Sequence, residues 1–138
     1  MSPKDMYPEE GGMAATASPQ PVPQMFFLPG MDGEAVDASL LPLVPGLVHA
    51  LKDALADAQQ GRSTGRTTLV QEASGRLAGR AEVFGLQKLG KFGRCVERAA
   101  EAGDLEAVSN LLEELDSITK RYIVALQESF QSFISVDR

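Results

Sequence analysis

Apolar residues recur every three or four positions through four stretches of this chain, which is the spacing of amphipathic helices. The first stretch predicts a helix from near Pro45 to Gly61, because proline is tolerated in a first turn and glycine commonly ends a helix. The second predicts a helix from about Thr67 to Val83. The apolar positions of these two stretches are Val44, Val48, Leu51, Leu55 and Ala58, then Leu69, Val70, Ala73, Leu77 and Ala81.

The second half of the chain continues the pattern. Leucines, a phenylalanine and small apolar residues from Leu86 to Ala99 predict a third helix, which stops at Gly103, and Asp104 is a typical N-cap. No Pro or Gly interrupts the stripe from Asp104 to Ile134, so one last helix of about 45 Å is expected. Four helices with short connections and no strand-like alternation predict an all-α fold: an antiparallel, up-and-down four-helix bundle with an extra N-terminal segment.

The first 24 residues have a different composition. Five prolines, two glycines and scattered small residues predict a disordered tail over residues 1–24, and residues 25–136 then form the single folded domain. The domain begins with a short apolar patch from Met25 to Leu28, closed by the turn dipeptide Pro29-Gly30. We expect this patch to pack against one end of the bundle, and the alternative is a docking motif for a partner.

Charge and cysteine content limit the expected classes of partner and the expected cellular compartment. The net charge is −6, but residues 62–98 carry eight Lys or Arg against three Asp or Glu, so a basic middle lies between acidic ends. The overall sign disfavours general nucleic-acid binding. A single cysteine, Cys95, no signal segment, and no apolar run of about 20 residues predict a cytoplasmic protein without a membrane span.

One stretch resembles a known family. Residues 69–86, LVQEASGRLAGRAEVFGL, are similar to the motif of histidine-phosphotransfer (HPt) domains, H-x-L-K-G-x-A followed by G-A or G-L. The family's histidine falls on Gly75 and its lysine on Ala78, whereas Leu77, Gly79 and Ala81 match. The turn at Gly103-Asp104 and the lead-in over residues 28–32 extend the resemblance, which implies a bundle that docks receiver or kinase domains in a phosphorelay.

Helical geometry predicts where this motif faces. At about 100° per residue, Gly75 projects roughly 170° from the centre of the apolar cluster, so we expect it to face solvent. Its neighbours on that face and the nearby cations, which could complement an acidic receiver pocket, form the predicted partner-binding set. The set is Gln71, Gly75, Arg76, Ala78, Gly79, Glu82 and Lys88, with Lys91, Arg94 and Arg98 as further nearby cations.

The motif lacks the groups that phosphotransfer requires. The reaction needs an imidazole nitrogen as nucleophile and a nearby cation to hold the developing charge. Gly75 and Ala78 supply neither, so the sequence predicts a non-enzymatic protein that binds a receiver or histidine-kinase domain without carrying phosphate. The alternative is that the chain is a helical scaffold or oligomerisation module, in which Gly75 and Gly79 lie on a surface without a binding role.

The only histidine, His49, is a second possible phosphoacceptor. It is followed by Lys52 in a fragment similar to the family motif, and it projects about 150° from the apolar stripe of its helix. Asp53 stands where the family has glycine, which disfavours this alternative. One histidine and one cysteine cannot supply a usual zinc site, so neither a metal nor a cofactor is expected.

Overall fold

The protein is described here by a computed structural model, which covers residues 25–136. The tail predicted over residues 1–24 lies outside the described residues. Within them the chain forms four α-helices, preceded by a short hairpin and a 3-10 helix. The helices are α1 (Val44–Ser63), α2 (Thr67–Val83), α3 (Gln87–Glu101) and α4 (Leu105–Val136). Consecutive helices pack together and α4 returns to α1, which confirms the predicted all-α four-helix bundle.

The connections are short because glycines allow the chain to reverse directly after each helix. Gly85 and Gly103 have φ of 76° and 73°, a left-handed conformation that glycine adopts without a Cβ penalty. After α2, the amide of Leu86 donates to the carbonyl of Ala81 at 2.9 Å, which closes the last turn. After α3, the amide of Asp104 donates to Ala99 in the same way.

The predicted apolar stripes form the core. Leu51, Leu77, Leu89 and Leu112, one from each helix, are fully buried. The largest fully buried side chain is that of Tyr122 on α4. Burial of one leucine side chain stabilises a fold by about 2 kcal/mol, so these four positions strongly favour the bundle.

The N-terminal segment contains a hairpin that the sequence did not predict. Strand β1 (Met25–Phe27) pairs antiparallel with β2 (Ala35–Asp37), with Phe26 opposite Val36. Strands of three residues are too short for an alternation of apolar and polar residues to be recognised. The expected packing of the patch on the bundle is confirmed for Phe26, whose ring meets that of Phe133 edge-on at 6.2 Å, and for Leu28, which is buried. It is wrong for Met25 and Phe27, which are exposed.

A 3-10 helix (Ala38–Leu43) leads directly into α1. Together, Ala38–Ser63 are long and apolar enough to cross a membrane by length and composition alone. The core helix of a bundle meets the same criteria, and Leu41, Leu51 and Ala54 of this segment are buried among the helices.

Candidate functional site

Ala78 does not face solvent. Its side chain is fully buried, so the prediction that it lies on an outward strip is wrong. The reason is Gly93 of α3, where an added Cβ would lie 3.0 Å from the Cβ of Ala78. Helix α2 therefore has two buried sides: one of large apolar residues, and one of small residues that meets α3. The exposed side is displaced from the predicted strip by about a quarter of a turn.

Gly75 is half-buried beneath side chains of α3. A Cβ at this position would be 2.7 Å from Oε2 of Glu97 and 3.9 Å from Nη1 of Arg94. A carboxylate therefore occupies the space into which a side chain at position 75 would extend. A histidine here would have to displace Glu97 before it could reach solvent.

The Glu97 carboxylate belongs to a charge cluster that ties α3 to α2. Nη1 of Arg94 donates to Glu97 at 3.0 Å, while its Nε and Nη2 donate to the two carboxylate oxygens of Glu82 at 3.0 and 2.8 Å. The hydrogen bonds from Arg94 lower the pKa of Glu82, and the hydrogen bonds to Glu82 and Glu97 raise that of Arg94. Arg94, expected as a free cation, is thus engaged within the bundle.

Gly79 is the open position of the motif. No atom lies within 4 Å of a Cβ built on it, and it is half-exposed at the surface. One turn further along, Val83 is 70% exposed, although it is a large apolar side chain. Arg76 and Arg80, on the same side of α2, are both exposed.

The open side of α2 continues onto α1. Nη2 of Arg76 donates to Oδ2 of Asp57 at 2.6 Å, and a shallow groove of about 250 Å³ runs between Asp53, Asp57, Arg76 and Arg80. We call the exposed surface formed by His49, Asp53, Asp57, Arg76, Gly79, Arg80 and Val83 the α1–α2 face. Because α1 contributes its acidic side chains and α2 its basic ones, this surface suits a polar partner with complementary charges.

The remaining predicted site residues are dispersed. Gln71 is half-buried on α2, and Glu82 forms a salt bridge with Arg94. Lys88 lies in the first turn of α3. Its Nζ approaches the carbonyl oxygen of Asp32 at 3.4 Å, and its side chain lines a cleft with Glu34 and Tyr122. Lys88 therefore groups with the hairpin and not with the α1–α2 face.

His49 is exposed, as its helical position predicts. Its side chain is 78% accessible, and Nε2 lies 3.2 Å from Oδ2 of Asp53 one turn later. Cys95 is half-buried on α3 with Arg98 3.6 Å from its Sγ. Among residues 25–136 no three His, Cys, Asp or Glu side chains are grouped closely enough to hold a metal ion.

Sequence reasoning missed the Glu82–Arg94–Glu97 cluster and the close contact at Gly93. The sequence carries a signal for part of this arrangement: Gly90 and Gly93 are spaced to lie on one side of α3, and Arg94 and Glu97 are three residues apart, within reach on a helix, whereas nothing in the sequence pairs Arg94 with Glu82. Comparison of the chain with models of protein families, with curated proteins and with solved structures found no match.

Proposed function

We propose that this protein is a histidine-phosphotransfer-like bundle that lacks the phosphate-carrying groups, binds a receiver or histidine-kinase domain through its α1–α2 face, and so modulates a two-component phosphorelay. The observation that carries the proposal is the open backbone at Gly79, in the one stretch that resembles the family motif. A partner domain can approach the helix closely there, because no side chain covers it.

The loss of phosphate transfer rests on positions 75 and 78. Glycine offers no nucleophile, and Ala78 is both uncharged and buried beneath Gly93. Glu97 lies over Gly75, and a second carboxylate, Glu82, is fixed beside it through Arg94. Arg94 neutralises only one of these two carboxylates, and the remaining negative charge opposes the approach of a phosphoryl group.

The composition of the α1–α2 face supports binding. Val83 supplies an exposed apolar side chain that a partner could bury, and large side chains of this kind contribute about 2 kcal/mol on burial. Arg80 forms no salt bridge with the residues at 25–136, so its guanidinium is available to a partner's carboxylate. Arg76 is held toward the same groove by Asp57.

A binding titration tests the proposal. Isolated receiver domains and histidine-kinase dimerisation domains are titrated into the full chain by calorimetry, with Gly79→Arg as the blocking variant. The long side chain can extend into open space at position 79, so the fold persists while the approach is obstructed. We expect the affinity to fall about tenfold or more, the loss of roughly 1.4 kcal/mol.

Asn110→Arg is the matched control, since it adds the same charge at an exposed position of α4. It should bind like the unmodified chain. Equal binding by the Gly79→Arg variant would place the interface elsewhere on the bundle. If neither class of domain binds, a scaffold or oligomerisation role replaces this proposal.

His49 supports a second candidate function, a phosphocarrier with a displaced histidine. Its exposure on the α1–α2 face favours this function, whereas the carboxylate of Asp53 beside Nε2 opposes it. Incubation with a phosphorylated kinase distinguishes the two functions. Acid-labile phosphate that is absent from a His49→Gln variant would establish the carrier and overturn the non-carrying proposal.

A further inference from the structure

Two apolar hollows lie side by side on another face of the bundle. The first, of about 430 Å³, is bordered by Leu55 of α1 and Ile123 of α4. The second, of about 370 Å³, is bordered by the hairpin turn at Pro29 and by Ala125 of α4. Val124, which is 55% exposed, and Lys120 line both, so the two hollows adjoin, and we call them together the groove. Concave apolar surface can receive the apolar side chains of a short peptide segment.

The edges of this groove are basic. Lys52, Lys120 and Arg121 line it, and Asp116 is the one acidic residue among the lining residues of the two hollows. Asp116 is paired with Lys120 at 3.0 Å, which leaves Lys52 and Arg121 without a salt bridge among the described residues. The groove therefore fits a short segment that has apolar side chains flanked by carboxylates.

We propose that residues 5–10 of this same chain, Asp-Met-Tyr-Pro-Glu-Glu, occupy the groove. In this placement Met6 and Tyr7 would contact the apolar residues of the groove, and the carboxylates of Asp5, Glu9 and Glu10 would face its basic edges. Methionine adapts to irregular hollows, and tyrosine buries a large apolar ring while its hydroxyl stays at the rim. Proline at position 8 reduces the entropy that the segment loses when it binds.

The connection to the bundle is long enough for this placement. The hairpin holds Phe26 against Phe133, and Val124 lies nine residues earlier on α4, about 13 Å along the helix. The linking residues 11–24 can span up to about 46 Å when extended. Because the segment is tethered, its effective concentration at the groove is in the millimolar range, so a weak contact suffices.

This groove is distinct from the α1–α2 face. Helix α1 presents Lys52 and Leu55 to the groove, whereas Asp53 and Asp57 border α2. The docked segment would therefore leave the α1–α2 face accessible. Docking of residues 5–10 in the groove and binding of a partner at the α1–α2 face can therefore be tested separately.

Methyl NMR of the full chain tests the placement, with a Met6→Ala/Tyr7→Ala double variant. We expect the Val124 and Ile123 methyl resonances, shifted by the Tyr7 ring in the unmodified chain, to lose that shift in the double variant. Arg121→Glu should produce the same loss by repelling the carboxylates. Val83 methyls, on the α1–α2 face, serve as internal reference and should not move.

A Met13→Ala/Val22→Ala variant is the matched control, because it removes two apolar side chains from the same tail outside residues 5–10. Its Val124 and Ile123 resonances should be those of the unmodified chain. Resonances that are identical in the unmodified chain and the Met6/Tyr7 variant would overturn the proposal. Shifts that disappear on dilution would also overturn it, in favour of a second copy of the chain in the groove.

Discussion

Gly93 of α3 lies so close to Ala78 of α2 that a Cβ at position 93 would be 3.0 Å from the Cβ and 3.3 Å from the Cα of Ala78. Helices approach to this degree only where small residues face each other. The contact explains why Ala78 is buried although it is not part of the main apolar core. It also indicates a structural role for small residues in the motif, in which α2 and α3 pack tightly together.

Replacement of Gly93 by leucine should destabilise the bundle. The added side chain has no space beside Ala78, so α3 must shift away from α2, and overpacking of this kind costs about 1–3 kcal/mol. Urea unfolding followed by circular dichroism measures the loss. Gly79→Leu is the control, since position 79 is open and the same change there should leave stability within about 1 kcal/mol. Equal losses in the two variants would argue against a close α2–α3 contact.

Replacement of Gly79 by alanine should stabilise the protein. Position 79 is in the interior of α2 with open space around it, and alanine is favoured over glycine in a helix by about 1 kcal/mol. Gly75→Ala should gain less, because its Cβ would meet Glu97 at 2.7 Å and displace that carboxylate from Arg94. Thermal unfolding of the two variants gives the comparison. A larger gain at position 75 than at 79 would contradict the description of Gly75 as covered.

The helices could be predicted from the sequence because the apolar residues that stabilise them recur every three or four positions. The predicted second helix, from about Thr67 to Val83, agrees with α2, and the last helix begins one residue after the N-cap predicted at Asp104. Asp104 does act as a cap, since its Oδ1 accepts from the amide of Ala107 at 3.1 Å. The hairpin was missed, since its stability depends on contacts with α4 that are remote in sequence.

The candidate site could be predicted only in part. The prediction from helical angles, in which α2 has one buried side, is correct for Gly79, which has open space around it. It failed for Ala78, because small residues carry little hydrophobicity and yet are buried when another helix approaches closely. Ion pairs between helices, such as Arg94 with Glu82, depend on relative rotation of the helices and leave no periodic signal.

Replacement of Arg94 by glutamine should raise the pKa of Glu82. The hydrogen bonds from Arg94 hold this pKa below its ordinary value of 4.5, so their removal returns it upward. Carboxyl-detected NMR titration measures the change directly. The stabilisation that Glu82 contributes is present above its unfolded-state pKa and is lost as the pH falls through the lowered folded-state value. Lys91→Gln on the same helix is the control, and a similar rise there would indicate a general charge effect.

Replacement of Tyr122 by phenylalanine should destabilise the protein most at neutral pH. The Tyr122 hydroxyl donates to Oε1 of Glu34 at 2.8 Å in a buried contact that joins the hairpin to α4. Without the donor, the carboxylate of Glu34 remains buried without this partner, which costs about 1–3 kcal/mol. Urea unfolding of both chains at neutral pH measures this difference.

The contact between Tyr122 and Glu34 also makes the stability of the protein depend on pH, in a direction that can be predicted. Burial, followed by the hydrogen bond to Glu34, raises the pKa of Tyr122, so the folded state holds the phenolic proton more tightly than the unfolded state does. The resulting stabilisation is complete below the ordinary tyrosine pKa of about 10 and decreases as the pH rises above it. The stability difference between the unmodified chain and Tyr122→Phe should therefore shrink at alkaline pH. A difference that does not change with pH would mean that Tyr122 ionises equally in both states, and the hydroxyl would then not be held in a buried contact with Glu34.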